Sequence, residues 1–149
     1  STIYGPYYQP LPKEKLPKEG EAWGQVPRSA REQSEIQTLN VTIYVTENDG
    51  KATVTIQVDG PENLPVTLEL GFREGGELSN VMPKQRIDQA YMAVPGEFAA
   101  YKYGEDEIKV GPGVVHHNWT QLRGALPKLQ ADCVYFTNYA PCEFKFTLE

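Results

Sequence analysis

Two cysteines, two histidines and two methionines are all that this 149-residue chain offers of the side chains that most often bind transition metals or pass electrons. Cys133 and Cys142 are too few for a disulfide framework or, by themselves, for a zinc site. The segment between them reads as a hairpin connection. A tight turn at Thr137-Asn138 sets the two thiols opposite each other within disulfide reach, whereas a turn over 138–141 puts them out of register, and reduced, buried thiols are the expected state. No apolar run approaches the roughly 18 residues that a membrane-spanning helix needs. No serine or cysteine sits in a nucleophile elbow, and no Ser-His-Asp order can be defended. Gly111-Pro-Gly113 lacks the lysine and hydroxyl of a phosphate loop, which leaves it as a turn reversing one strand into the next. Positive charge is also short, with 14 basic against 20 acidic side chains. Residues 1–38 balance at five and five, so the remainder, with nine against fifteen, carries the whole negative excess. Such a surface repels phosphate backbones, and no nucleic acid partner is expected. The chain opens at Ser1 with neither a charged n-region nor an apolar h-region, as expected of a processed mature form or a piece of something longer.

What the sequence does have is proline, tyrosine and alternation. Twelve prolines and nine tyrosines lean toward an all-β protein with many turns. Pro6, Pro10, Pro12, Pro17 and Pro27 exclude a helix or central strand from 1–28, which reads as an extended arm whose Tyr4, Tyr7, Tyr8 and Trp23 favour docking on a surface. Ser29 and Glu32 form a capping box for a helical turn over 29–37. From Leu39 the period becomes two. Leu39, Val41, Ile43 and Val45 alternate with polar residues, Glu47-Asn-Asp-Gly50 turns the chain, and Ala52, Val54, Ile56 and Val58 return. This predicts a hairpin with one buried face. Val66, Leu68, Leu70 and Phe72 predict a third strand, followed by shorter ones over 77–82, 89–94, 97–103, 107–110, 114–121, 133–137 and 144–148. Short strands with Gly/Pro punctuation at spacings of roughly ten residues predict an antiparallel, jelly-roll-like β-sandwich of about ten strands over 39–149, with the Pro/Tyr-rich arm over 1–38.

Each chemically suggestive residue has a plain reading beside a functional one. His116 and His117 are adjacent, so in a strand their imidazoles leave opposite faces and cannot share a metal ion. One imidazole packed and hydrogen-bonded inward, with the other at the surface, outweighs a carboxylate-assisted single-histidine site. Arg123, between Leu122 and Gly124, is expected to pair with a buried carboxylate ahead of gripping a substrate carboxylate such as that of a uronic acid. Trp119, Trp23, Tyr91, Tyr101 and Tyr103 suit a sugar-stacking platform, the tyrosines on strands of a shared sheet, although packing alone enriches aromatics there. Glu105, Asp106 and Glu107 offer oxygens to a calcium ion, yet the ordinary reading is a solvated acidic turn, and no cofactor is expected. Asn40-Val-Thr42 and Asn118-Trp-Thr120 match the glycosylation sequon inside predicted strands.

Leu68-Glu-Leu-Gly-Phe-Arg-Glu-Gly-Gly76, Ile108-Lys-Val-Gly-Pro-Gly113 and Trp119-Thr-Gln-Leu-Arg-Gly-Ala125 together resemble the C-terminal β-sandwich domain of bacterial heparinase II/III-like polysaccharide-processing proteins. The resemblance covers about residues 39–149, rests on turns and strands, and transfers no catalytic residue. It implies a non-catalytic accessory or carbohydrate-binding module of an exported bacterial protein, secreted or periplasmic. Its expected partners are a polysaccharide or oligosaccharide, a catalytic domain, or a second copy. Trp119, Arg123, His116, His117, Tyr101 and Tyr103 are the candidate ligand-binding residues, with no catalytic and no metal-binding residue. Two other classes stand beside this one. The first is a small lyase, isomerase or hydrolase with His116 or His117 as base, Tyr103 or Tyr135 as acid and Arg123 holding a carboxylated sugar. The second is a protein-interaction module that lays its N-terminal arm across a partner.

Overall fold

The computed structural model describes residues 7–8, 11, 14, 16, 30–34, 37–84, 88–119, 122 and 128–149. The chain divides into two units, Ser1–Thr38 and Leu39–Glu149. In the first, β1 (Tyr7–Tyr8) pairs antiparallel with β2 (Gln33–Ser34). The helical turn expected over 29–37 gives way to strand at Gln33 and Ser34, whose backbone pairs across to β1 rather than along its own chain. Ser29, its expected cap, lies outside the described residues, as does Trp23.

The second unit is all-β, with no α-helix among its described residues. Among those residues its ten strands are β3 (Asn40–Asn48), β4 (Lys51–Asp59), β5 (Leu64–Gly71), β6 (Glu77–Ser79), β7 (Val81–Pro83), β8 (Ala90–Ala93), β9 (Ala99–Tyr103), β10 (Asp106–Gly111), β11 (Cys133–Ala140) and β12 (Cys142–Leu148). They form a six-stranded sheet in the order β3-β4-β12-β10-β9-β6 and a four-stranded sheet in the order β5-β11-β8-β7. Every pair is antiparallel except β8 with β11. No helix among the described residues is long and apolar enough to cross a membrane.

The period-two pattern accounts for the core. Val54, Ile56 and Val58 of β4 and Phe144 and Phe146 of β12 point from one sheet, and Val134, Phe136 and Ala140 of β11 from the other, all buried together. Leu64, Val66, Leu68 and Leu70 of β5 close the flank of that layer. Phe136 meets Phe146 edge to face at 5.4 Å between centroids, tying sheet to sheet, a geometry worth about 0.5–1.5 kcal/mol beyond the area it buries. This is the predicted sandwich. A second, smaller cluster of Ala90, Met92, Leu129, Cys133 and Tyr135, with Leu122 against it, covers the outer face of the four-stranded sheet. There the Tyr135 hydroxyl donates to Glu69 at 2.7 Å.

Four local expectations are corrected. Asp49 and Gly50 take φ of 52° and 72°, the type I′ geometry that closes β3 on β4, but only β4 buries its apolar face. Val41, Ile43 and Val45 stay 54%, 60% and 62% exposed, because β3 is an edge strand and the four-stranded sheet does not roof it. The strand predicted over 77–82 is two strands in different sheets, split at Asn80, whose left-handed φ of 53° redirects the chain and whose amide donates to the Phe98 carbonyl at 2.8 Å. Gly111-Pro-Gly113 does not reverse β10 into a neighbour. It carries the chain from the six-stranded sheet toward β11 of the other, where Val115 bridges Thr137. Cys133 and Cys142 begin strands of different sheets, so the segment between them is a corner at Ala140-Pro141 rather than a hairpin, and no disulfide joins the two cysteines.

Candidate functional site

The candidate residues fall on two different parts of the sandwich. His116, His117 and Trp119 lie on the segment that leaves β10 and runs beside β11. It was expected to be a strand over 114–121, yet its described part forms no ladder beyond the Val115–Thr137 bridge. The reason is local. The Thr137 hydroxyl donates to the His117 carbonyl at 2.7 Å and accepts from the His117 amide at 3.2 Å, so the backbone groups that would extend a ladder end on a buried side chain.

His117 is the inward imidazole and His116 the exposed one. Its ring rests 5.1 Å from that of Tyr139, and Nε2 lies 3.1 Å from the Val66 carbonyl, which fixes Nε2 as the protonated nitrogen. Burial pushes the His117 pKa down. The backbone of Val66 and, to a smaller degree, of Asn138 pull it back, and the positive charges of Lys84 and His116 push it further down. Nδ1 is buried with no hydrogen-bond partner of good geometry, although Asn138 is near enough to be felt electrostatically. A ring committed in this way anchors the segment and is poorly placed to take a proton from a substrate in solvent. Trp119 is exposed, and beside it the Lys84 ammonium bonds both the side-chain oxygen of Asn118 and, at 3.2 Å, its carbonyl. Arg123 lies outside the described residues.

Tyr101 and Tyr103 project from β9 of the six-stranded sheet, whereas Tyr91 belongs to β8 of the four-stranded one, so the three tyrosines do not share a sheet. Tyr101 is buried. Its ring stacks on Phe72 at 4.8 Å and 22°, and its hydroxyl donates to the Arg73 carbonyl. Gly76 is required there, because a Cβ would collide with the Tyr101 ring and the Lys102 carbonyl. This pinning holds Arg73 so that its guanidinium lies over the Tyr103 ring, 4.4 Å from the centroid. Tyr103 is 39% exposed, and Ile108, in register with Tyr101 on β10, is exposed near it. The result is an aromatic platform with a cation on it, at the end of the β9–β10 hairpin.

Arg73 and Phe72 were not candidate site residues from sequence, where Phe72 ends the third predicted strand and Arg73-Glu-Gly-Gly76 reads as turn material. Only the pairing of Leu78 with Tyr101 brings their loop over β9.

The acidic residues do not gather. Among the described residues no group of three or more His, Cys, Asp or Glu side chains is placed to hold a metal ion. Asp106 and Glu107 alternate along β10 and leave opposite faces, and Glu107 sits 3.4 Å from the Lys109 ammonium, so the calcium site considered for Glu105, Asp106 and Glu107 does not form. An open hollow of about 320 Å³ is lined by Glu107, Lys109 and Glu149. The Lys51 ammonium, 2.5 Å away, holds the Glu149 carboxyl below the usual range. These are surface charges that satisfy one another.

No protein-family model, no curated protein and no solved structure matches the chain.

Proposed function

We propose that this chain is a non-catalytic β-sandwich module of an exported bacterial carbohydrate-processing protein, and that it holds a saccharide on the Tyr103–Arg73 platform. The observation that carries the reading is the guanidinium laid on a half-exposed tyrosine. A ring face and a fork of N–H donors beside it are what an aromatic-lined sugar subsite needs, the ring for the apolar face of a pyranose and the fork for its hydroxyl or carboxylate oxygens. The resemblance of Leu68 to Gly76 and of Ile108 to Gly113 to polysaccharide-processing sandwiches points the same way, since these stretches supply Arg73 and the hairpin that bears Tyr103. The histidines support an accessory role rather than a catalytic one, because His117 anchors the chain and His116 is exposed on its own.

The test is calorimetric titration of neutral and uronate-containing oligosaccharides into the 149-residue chain and its Tyr103→Ala variant. Weak binding that falls about fivefold in the variant is expected, the loss of roughly 1 kcal/mol of stacking. Absence of saccharide binding, or binding indifferent to Tyr103, refutes the reading.

A further inference from the structure

We infer that the free edge of β3 is a docking surface for a second copy of this chain, and that two copies pair β3 to β3 antiparallel about a two-fold axis at Ile43, joining their six-stranded sheets.

Among the described residues the sandwich has four sheet edges, β3 and β6 in one sheet and β5 and β7 in the other. Three are blunted in the ways that keep edges from pairing. β5 carries Pro65, β7 carries Pro83, and β6 is only three residues long. β3 has none of these devices. It is nine residues long, holds no proline or lysine, pairs among the described residues with β4 alone, and leaves Val41, Ile43, Tyr44 and Val45 more than half exposed.

The backbone phase agrees with the side chains. A type I′ loop closes on a hydrogen-bonded pair, here Asn48 with Lys51, so alternate β3 residues back to Asn40 bond toward β4. The N–H and C=O groups of Val41, Ile43, Val45 and Glu47 therefore face the open edge. Those same residues place the exposed apolar side chains beside the core.

The sequence of β3 is self-complementary in this phase. Centring an antiparallel pair on Ile43 sets Ile43 against its symmetry mate, Val41 against Val45, Thr42 against Tyr44 and Asn40 against Thr46. β-branched residues meet each other on one face and uncharged residues on the other, the pairings that sheets favour. Leu39 to Thr46 carry no charge in a chain whose net charge is −6, and Glu47 falls opposite Leu39 rather than another acid. Two acidic copies thus meet along the strip where neither is charged, as an isologous two-fold interface requires. This pairing is independent of any saccharide on Tyr103, which lies on β9.

Sedimentation velocity of the 149-residue chain over a concentration series, at low and moderate salt, tests the pairing. The expected result is a monomer–dimer equilibrium that strengthens with salt as the net charges are screened. Ile43→Lys, which sets two cations together on the axis, weakens it at least about 100-fold. Val45→Pro removes an edge-facing N–H, a change an edge strand tolerates in the monomer, and has the same effect. Melting curves at high dilution confirm that each variant is folded, and should Val45→Pro fail to fold, Ile43→Lys decides alone. In the wild type, the Val41, Ile43 and Val45 amides become protected from hydrogen exchange as concentration rises. A wild type that stays monomeric at every concentration overturns the inference, and so does a dimer that survives Ile43→Lys.

Discussion

β3 and β4 lie side by side, paired residue for residue from Asn40–Asp59 to Asn48–Lys51, with nearly the same alternation of β-branched and polar side chains. Ile43 sits directly opposite Ile56, Val41 opposite Val58 and Val45 opposite Val54. Yet the β4 members are buried and the β3 members are more than half exposed. Pattern and propensity are therefore matched, and the only difference is one step in strand order. β4 has β12 on its far side and its apolar side chains in the core shared with the four-stranded sheet, whereas β3 ends the six-stranded sheet and, among the described residues, pairs with β4 alone. Alternation fixes which face of a strand is apolar. Whether that face meets a core depends on the width of the opposing sheet, here four strands against six.

The sharpest way to break the comparison is to delete the same side chain from both strands. Ile56→Ala leaves a cavity in the core that Ile56 shares with Val54 and Phe144 and is expected to cost about 2–5 kcal/mol. Ile43→Ala, measured at dilutions where the chain is monomeric, is expected to cost less than about 1 kcal/mol, the scale of strand propensity alone. Urea denaturation of both variants gives the two values. Equal losses would mean that β3 is covered in the monomer after all.

The other end of the same sheet provides a second contrast, with a smaller expected effect. At β6 the loop that carries Phe72, Arg73 and Gly76 roofs Tyr101, which is buried where Ile43 is exposed. Gly76→Ala drives a Cβ into the Tyr101 ring and the Lys102 carbonyl, and overpacking of this kind costs about 1–3 kcal/mol. The same displacement lifts Arg73 from Tyr103, so saccharide affinity falls together with stability. Loss of stability with undiminished affinity would show that the platform does not depend on this pinning.

These contrasts mark what could be read from the residues. The hairpin at Asp49-Gly50, the strands around Val66, Tyr101, Phe136 and Phe146 and the two-sheet architecture follow from period-two runs and turn chemistry, which are local signals. Strand order is not local, and each correction traces to it. β3 was expected to be half-buried because its pattern matches that of β4. Residues 77–82 were expected to stay in one sheet because nothing in Ser79-Asn80-Val81 announces a left-handed Asn80. The Cys133 and Cys142 thiols were set on one hairpin because a corner between sheets and a turn within one use the same Pro and Asn. The candidate site was legible only as a set of residue types. Tyr103 was in that set, but Arg73 lies thirty positions earlier in a segment with no periodicity, and only the Leu78–Tyr101 register brings it onto the ring.

His116 and His117 repeat the β3–β4 contrast at the scale of two neighbouring residues, and here proton uptake reports the difference. Burial lowers the folded-state pKa of His117 beneath its unfolded value, with Lys84 and His116 adding to the effect and the Val66 and Asn138 backbone opposing it. In the window where the two differ, the unfolded chain binds the proton and the folded chain does not, so stability rises with pH there. The contribution is complete above the unfolded value near 6.5. It is lost as pH falls through the folded value. Urea midpoints followed from about pH 7.5 down to about pH 5.5, above the range where most carboxylates titrate, are expected to decline in the wild type. In His117→Gln, whose amide keeps a donor for the Val66 carbonyl without a titrating ring, the decline should be shallower, at some cost in stability throughout. An identical slope in the two proteins would mean that His117 does not stay neutral in the fold, and that the Val66 carbonyl holds an imidazolium instead.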